Sequence, residues 1–196
     1  MRAADTGCRS TSIRASLTAP MATRDIRTFG DPVLRQRARE VEEVTDLHRK
    51  LIKDMIDTMR AAPGVGLAAP QIGVLDRIFV WELEDRHGAV VNPEIVETSS
   101  VTGTDDEGCL SLPGLTYPVE RAVEVTIRGL DEHGRPIELT GTELLARIFQ
   151  HEIDHLDGVL FIDRLSDAAR KDALKNLREQ TLGLRSTAPA SREETL

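Results

Sequence analysis

The sequence predicts an α+β fold in which mostly antiparallel sheets pack around a central helix in the C-terminal part of the chain. Three observations support this prediction. A helical pattern of apolar residues follows Thr45, short strand-like segments separated by turn residues fill the middle of the chain, and a second helical pattern carries the sequence HEIDH at 151–155. The 196 residues contain no internal repeat and no inner linker, so residues 21–180 are predicted to form a single domain.

The N-terminal part predicts two helices. Asp31 can cap a short helix that begins at Pro32. The long helix after Thr45 has apolar residues at intervals of three and four, and we expect its methionines to lie in the core. His48 lies off this apolar face and is interpreted as a solvated surface residue. The apolar positions are Leu47, Leu51, Ile52, Met55, Ile56 and Met59.

Strand signals fill the middle of the chain. One short strand is expected to end at the Asn92-Pro93 pair, because proline lacks the amide hydrogen that a central strand donates. Residues 95–97 are expected to pair with the region of Val101 as a hairpin. Turn residues at 85–88 and 131–134 separate neighbouring strands. The predicted strands are 78–83, 89–91, 95–97, 122–130, 135–139 and a further short one at 159–162.

The C-terminal part predicts two further helices. Thr142 or Thr140 can cap the helix that carries HEIDH, and Gly158 is a typical helix stop. Ser166 can cap the last helix. Residues 181–196, which follow it, are polar and are predicted to form a disordered tail.

Composition argues against several classes of protein. The net charge of −8 and the aromatic content of 3% argue against sequence-specific binding of nucleic acid, and no apolar run is long enough to cross a membrane. There are two cysteines, and Cys8 lies in a segment that is predicted to be disordered. A structural disulfide is therefore not expected, and a reducing, cytoplasmic location is favoured.

Residues 1–20 differ in composition from the rest of the chain. They contain three arginines and one acidic residue among many Ser, Thr and Ala. We interpret them as a disordered N-terminal extension, or as the product of a start codon assigned upstream of Met21. The alternative is an organellar transit peptide, since such peptides are rich in Arg and Ser and poor in acidic residues.

The HEIDH sequence is the strongest chemical signal. In a helix, His151 and His155 project from the same face and can hold one metal ion. Glu152 lies beside them and can reach a water molecule bound to that metal. The alternative is a surface helix with two solvated histidines, and two histidines alone do not complete a metal site.

The third ligand has several candidates. Downstream of His155 there is no histidine; the nearest acidic residues are Asp157, Asp163 and Asp167, and Glu179 lies further along, on the last predicted helix. Upstream lies Cys109, whose thiolate is a strong ligand for Zn²⁺ or Fe²⁺. The alternative is that Cys109 is a buried core thiol, as free cysteines often are.

A glycine-rich segment at 64–73 has two interpretations. It can be a flexible turn, or it can be a loop whose backbone approaches a ligand closely, with Gln71 as a polar group nearby. Its glycines match neither the dinucleotide-binding pattern nor the phosphate-binding P-loop.

Three segments together resemble the peptide deformylase family. They are GVGLAAPQ at 64–71, EGCLS at 107–111 and QHEIDHLDG at 150–158, in this order, and the resemblance extends over residues 24–165. It implies that 21–180 is a catalytic domain and that one divalent metal ion is bound by Cys109, His151 and His155. Fe²⁺ is the common metal of the family, and Zn²⁺, Ni²⁺ or Co²⁺ suit the same ligands.

The resemblance also implies an activity and roles for further residues. The expected activity is removal of the N-formyl group from the N-terminal formylmethionine of newly made polypeptides, with release of formate. Glu152 would move the proton, while the Gln71 side-chain amide and the Leu110 backbone N–H would stabilise the oxyanion. The residues implied for the methionine slot are Val65, Gly66, Leu67, Leu144 and Ile148, and core packing is the alternative for the last two.

Two further expectations concern the surroundings of the site. Many relatives carry an arginine a few residues after the metal-binding cysteine, but here none occurs before Arg121, and Tyr117 is the candidate replacement. The partners expected from the family are N-formylmethionyl nascent peptides and the ribosome. The ribosome would contact the last helix, whose Lys171, Lys175 and Arg178 can equally form a solvated basic face.

Two other functions share part of this pattern. A general metallopeptidase is disfavoured by the cysteine ligand and by the set of three motifs. A metal-binding or ribosome-associated protein without catalysis predicts the loss of Glu152 or Gln71, and both are present.

Overall fold

The computed structural model describes residues 23–183. The expectations for residues 1–20, for Cys8 and for residues 184–196 of the predicted tail lie outside the described residues. Within 23–183, none of the helices combines the length and the apolar character needed to cross a membrane.

The predicted α+β architecture is confirmed. The three α-helices are Asp46–Ala61 (α1), Glu143–Leu156 (α2) and Asp167–Thr181 (α3), and short 3-10 helices lie at Pro32–Arg35, Ala69–Ile72 and Phe161–Asp163. The α-helices begin directly after Thr45, Thr142 and Ser166, and the predicted cap Ser166 accepts a hydrogen bond from the backbone N–H of Ala169. After α2, Gly158 adopts a φ of +75°, the left-handed conformation that ends many helices.

Two antiparallel sheets form the β part of the domain. The larger sheet has the strand order β1-β2-β3-β6-β7, and the smaller one pairs β4 with β5. The predicted hairpin between 122–130 and 135–139 is confirmed as β6 and β7. The strands are Gly66–Ala68 (β1), Ile78–Leu83 (β2), Arg86–Thr98 (β3), Thr102–Gly108 (β4), Thr116–Ala122 (β5), Glu124–Leu130 (β6) and Pro136–Thr142 (β7).

The predicted end of the strand at Asn92-Pro93 is wrong. Strand β3 continues through this pair, and its register against β6 shifts between Val91 and Glu94. Asn92 takes a positive φ of 52°, so a bulge accommodates the proline without ending the strand. The proposed hairpin of 95–97 with the region of Val101 is also wrong, because the end of β3 pairs with β6.

Strands β4 and β5 were not predicted in the middle of the chain. Strand β4 contains Asp105, Asp106 and Glu107, and this run lacks the apolar alternation that identifies a half-buried strand. Residues 159–162 were predicted to be a strand, but the chain forms the 3-10 helix Phe161–Asp163 there, packed into the core.

Most residues of the predicted apolar face of α1 are buried or partly buried in the core. Met55 and Met59 are fully buried, but Leu47 is 78% exposed and was wrongly included. His48 lies at the surface with its side chain 21% exposed, and it also has a structural role. Its Nδ1 accepts a hydrogen bond from the backbone N–H of Thr45 (3.0 Å), which satisfies a donor at the start of the helix.

The glycine-rich segment is a buried, regular part of the fold. It forms edge strand β1, which pairs with β2, and continues as the 3-10 helix Ala69–Ile72. Helix α2 packs against β1, β6 and β7, and Cys109 follows β4 directly. The three predicted motifs therefore meet where α2, β1 and the β4–β5 ribbon come together.

Candidate metal centre and active site

Cys109, His151 and His155 form one compact buried group. One donor atom from each lies within 4.8 Å of the other two, and all three residues are buried. The thiol Sγ of Cys109 is 3.2 Å from Nε2 of His155. The structure thus brings together the two histidines of one helix and a cysteine from a distant loop.

The environment of the two ring nitrogens of His151 indicates that this group can hold a metal ion. Nδ1 of His151 lies 2.6 Å from Oε1 of Glu107, and a carboxylate in that position fixes the tautomer that leaves Nε2 free to bind a metal. Within the described part of the chain, Nε2 of His151 is buried without a hydrogen-bond partner. One thiol and two imidazoles are donors suited to a divalent transition metal, so these residues fit a single bound ion.

Glu107 is fully buried and is held by cations. It pairs with Arg121 at 2.7 Å and with Arg147 at 3.1 Å. Burial opposes the carboxylate charge, but the hydrogen bonds and charges of His151 and Arg121 outweigh burial and hold the pKa of Glu107 well below its usual value. Glu107 therefore remains an anion that can accept a hydrogen bond from His151.

The two histidines respond to this environment in opposite directions. Burial acts to lower the pKa of His151, but its contacts with Cys109 and Glu107 outweigh burial and raise that pKa. Burial, reinforced by the positive charge of His151, lowers the pKa of His155. A neutral imidazole is the form that binds a metal, so His155 is already in the ligand state near neutral pH.

Glu152 is fully buried next to the candidate ligands. Among the described residues, neither of its carboxylate oxygens has a hydrogen-bond partner. Burial raises the pKa of Glu152 to about 7; the charge of His151 opposes this shift and that of Glu107 adds to it. Gly66 lies against this side chain, since a Cβ built at Gly66 would be 2.9 Å from Cδ of Glu152.

Gln71 lies on the thiol side of the group. Its Oε1 accepts a hydrogen bond from the backbone N–H of Ala68 (2.8 Å), which turns Nε2 towards Cys109 Sγ (3.7 Å) and Ser111 Oγ (3.2 Å). Leu110 follows Cys109 directly, and its side chain lies against Gly64. The glycine-rich segment and the cysteine loop are therefore in contact.

The five residues implied for the methionine slot lie in different environments. Leu144 lines a cavity of about 360 Å³, together with Asp105, Glu143 and Arg147. Val65, Leu67 and Ile148 are buried in the core, the last two completely. Gly66 contacts Glu152, as described above.

Sequence reasoning assigned no role to four buried charged residues around this group. They are Glu107, Arg121, Arg147 and Asp154. One signal in the sequence pointed to Glu107, since a metal-binding histidine needs an acceptor for its other nitrogen and Glu107 precedes Cys109 by two residues. The hydroxyl of Tyr117, the candidate replacement for the missing arginine, instead donates to Asp172 on α3 (2.6 Å).

Comparison with known sequences identifies one family. A family model of polypeptide deformylases matches residues 23–171. The peptide deformylase of Acidothermus cellulolyticus is 55% identical over 159 residues, which are 81% of this chain and 88% of that protein. The peptide deformylase of Clostridium botulinum is 52% identical over 144 residues, which are 74% of this chain and 97% of that protein.

Comparison with solved structures gives the same family. A crystal structure of a peptide deformylase from Legionella pneumophila matches with a TM-score of 0.78 and 44% identity, and covers 84% of this chain and 99% of that chain. The peptide deformylase of Ehrlichia chaffeensis in complex with actinonin matches with a TM-score of 0.78 and 36% identity, and covers 82% of this chain and 98% of that chain.

Proposed function

The chain belongs to the polypeptide deformylase family, and on this premise we propose that it removes the N-formyl group from the formylmethionine at the N-terminus of newly made polypeptides, releasing formate. One observation carries the proposal. The buried carboxylate of Glu152, which lacks a hydrogen-bond partner among the described residues, lies next to a Cys-His-His group that fits a metal. Such a carboxylate is available for proton transfer during amide hydrolysis.

Cys109, His151 and His155 would hold the metal ion. When bound, the ion lowers the pKa of a water molecule and polarises the formyl carbonyl. We propose Fe²⁺ as the native ion because of the family resemblance. Zn²⁺, Ni²⁺ and Co²⁺ suit the same thiolate and imidazole donors.

Glu152 would move the proton in two steps. It accepts a proton from the attacking water as general base and then delivers it to the leaving amine as general acid. The C–N bond of the formamide breaks, and the products are formate and a free N-terminal amine. The confinement of Glu152 by Gly66 supports this role, because a proton-transfer group needs a fixed position.

Gln71 and Leu110 would stabilise the oxyanion that forms on the formyl oxygen. The hydrogen bond from Ala68 to Oε1 fixes the orientation of the Gln71 amide, so Nε2 is a preorganised donor on the thiol side of the site. The backbone N–H of Leu110, directly after Cys109, is the second proposed donor.

The methionine side chain would occupy an apolar slot near the start of α2. The proposed lining is Val65, Gly66, Leu67, Leu144 and Ile148, of which Leu144 borders the cavity described above. We further propose a cytoplasmic location with nascent peptides as substrates, and organellar targeting by residues 1–20 as the alternative. We also propose, from the family resemblance, that α3 contacts the ribosome through Lys171, Lys175 and Arg178.

Formate release tests the proposed reaction directly. Protein loaded anaerobically with Fe²⁺ or Ni²⁺ is expected to release formate from a formyl-Met peptide, and chelator-treated protein is expected to release none. Absence of formate at full metal occupancy would reject the proposed activity.

Two variants separate proton transfer from metal binding. Glu152→Gln is expected to retain the metal and to lose about 100-fold or more in kcat, because the general base is removed. Cys109→Ala is expected to lose the metal, because one of three ligands is removed. Metal content measured by elemental analysis, together with formate release, distinguishes them; full occupancy in Cys109→Ala would contradict the ligand assignment.

A further inference from the structure

A ring of buried charges connects the proposed metal ligand His151 back to its own helix. His151 contacts Glu107, which ends β4, and Glu107 pairs with Arg121 on β5 through two hydrogen bonds of 2.7 and 3.1 Å. Arg121 then donates from Nη1 to Oδ2 of Asp154 at 2.6 Å. Asp154 lies on α2 three residues after His151, so the ring closes.

Each member of the ring is shielded from water. The side chains of Glu107, Arg121 and Asp154 are 0%, 6% and 10% exposed. Charge pairs of this burial have demanding geometry, because each group needs its hydrogen bonds satisfied within the protein. Arg121 meets this demand with a rigid planar fork that binds two carboxylates at once.

The ring spans the two structural units that carry the ligands. Asp154 and both histidines belong to α2, whereas Glu107 is two residues from Cys109 on the β4–β5 ribbon. The bridge through Arg121, together with the direct contact of Arg147 on α2 with Glu107 (3.1 Å), therefore ties α2 to the strand that presents the thiol. None of the roles proposed above uses Arg121 or Asp154.

We infer that Asp154 and Arg121 are positioning residues that set the geometry of the three proposed metal ligands. Arg121 orients Glu107 on His151, and Asp154 ties that carboxylate–arginine pair to the helix that bears the histidines. The inference rests on the proposed function, because it assumes that Cys109, His151 and His155 bind a metal. It predicts an effect on metal affinity, in addition to any effect on folding.

Asp154→Asn tests this inference, with Asp57→Asn as the matched control. Asp57 is also a buried helical aspartate in an ion pair; it contacts Lys53 at 2.6 Å, and both residues lie on α1. Both substitutions remove one buried negative charge. We expect Asp154→Asn to weaken Zn²⁺ affinity by about 10- to 100-fold in a chelator competition, as loss of outer-sphere support typically does, and Asp57→Asn to leave it unchanged.

The absorption spectrum of the Co²⁺-loaded protein supplies a readout that is independent of activity. Its thiolate and ligand-field bands report the arrangement of the sulfur and nitrogen donors, so they are expected to change in Asp154→Asn and not in Asp57→Asn. Wild-type affinity and spectrum in a folded Asp154→Asn protein would overturn the inference and leave only a stabilising role. Should Asp154→Asn fail to fold, Arg121→Lys makes the same comparison, because lysine cannot bridge both carboxylates.

Metal binding by the wild-type protein distinguishes a failure of the proposed metal site from a failure of the proposed positioning role. If wild-type protein binds no Zn²⁺ or Co²⁺, the proposed metal site itself is wrong. If wild-type protein binds both metals and the ring variants bind them equally well, only the positioning role is rejected.

Discussion

The site depends on very short distances around single residues, and Gly66 is the clearest case. Strand β1 passes so close to Glu152 that a methyl group at Gly66 would lie 2.9 Å from the carboxylate carbon. Glu152 is fully buried, so its side chain has little room to move away. The lack of a side chain at Gly66 is therefore a requirement of the site.

Gly66→Ala is predicted to impair catalysis while sparing the metal. The new methyl group displaces the Glu152 carboxylate, and a displacement of about 1 Å can cost on the order of 100-fold in kcat. Formate release measures kcat, and elemental analysis is expected to show unchanged metal content, because the three atoms nearest to the new methyl group all belong to Glu152.

The double variant Gly66→Ala/Glu152→Gln provides the control. If the methyl group acts through Glu152, its effect disappears once that carboxylate has been removed. Fully additive losses would contradict the proposed mechanism and indicate a general disturbance of β1.

At the scale of the elements, the carboxylate of Asp163 stabilises the 3-10 helix that follows α2. Asp163 ends the 3-10 helix Phe161–Asp163, accepts a hydrogen bond from the backbone N–H of Leu160 (2.9 Å) and pairs with Arg35 and with Arg170 (3.0 Å). It thereby connects the first 3-10 helix of the domain to α3. Partial burial acts to raise the pKa of Asp163, but the hydrogen bonds from Arg35 and Leu160 outweigh it and lower that pKa.

Asp163→Asn is predicted to lower the free energy of unfolding by about 1–2 kcal/mol at pH 7, because two charged hydrogen bonds are weakened. Since the pKa of Asp163 is lower in the folded protein, its stabilisation is complete above the unfolded pKa and is lost as pH falls through the folded pKa. Urea unfolding at several pH values measures the free energy of unfolding. The difference in this free energy between Asp163→Asn and wild type is expected to shrink below about pH 4.

Asp85→Asn is the control for this measurement. Asp85 lies in the exposed turn between β2 and β3, so its substitution is expected to change stability by less than about 0.5 kcal/mol at any pH. A difference between Asp163→Asn and wild type that stays constant down to pH 3 would exclude the electrostatic explanation.

The elements also differ in how well the sequence predicts them. Helices α1 and α2 have a strong apolar period, and the starts of the three α-helices were predicted at Thr45, at Thr142 or Thr140, and at Ser166. Strands β4 and β5 lack such a local signal. They are stabilised by pairing with each other and by buried contacts, such as the hydrogen bond from Arg147 to the backbone oxygen of Val119 (2.9 Å). Short-range patterns cannot reveal such a pairing.

At the scale of the whole molecule, a metal held by the three proposed ligands would connect separate parts of the fold. Cys109 follows the β4–β5 ribbon, and the two histidines lie on α2, which packs on the larger sheet. A ligand that binds the native state and not the unfolded chain stabilises the native state in proportion to the logarithm of its free concentration.

Metal loading is therefore predicted to raise the melting temperature. With free metal at about 1,000 times its Kd, the gain is about 4 kcal/mol, which corresponds to a shift on the order of 10 °C for a domain of this size. Differential scanning calorimetry with Zn²⁺ or Ni²⁺ measures the shift. Cys109→Ala is expected to show almost none, and an equal shift in that variant would mean that the metal binds elsewhere.

The sequence by itself determined the features that depend on short spacing. The helical positions of His151 and His155, the adjacent Glu152 and the stop at Gly158 follow from the periodicity of one helix. Only the tertiary structure decided which buried charged groups contact the histidine ligands and one another. The contact between His151 and Glu107 joins residues 44 positions apart, and Arg121 reaches Asp154 across 33 positions. Such contacts arise from packing between elements, which the local sequence pattern does not encode.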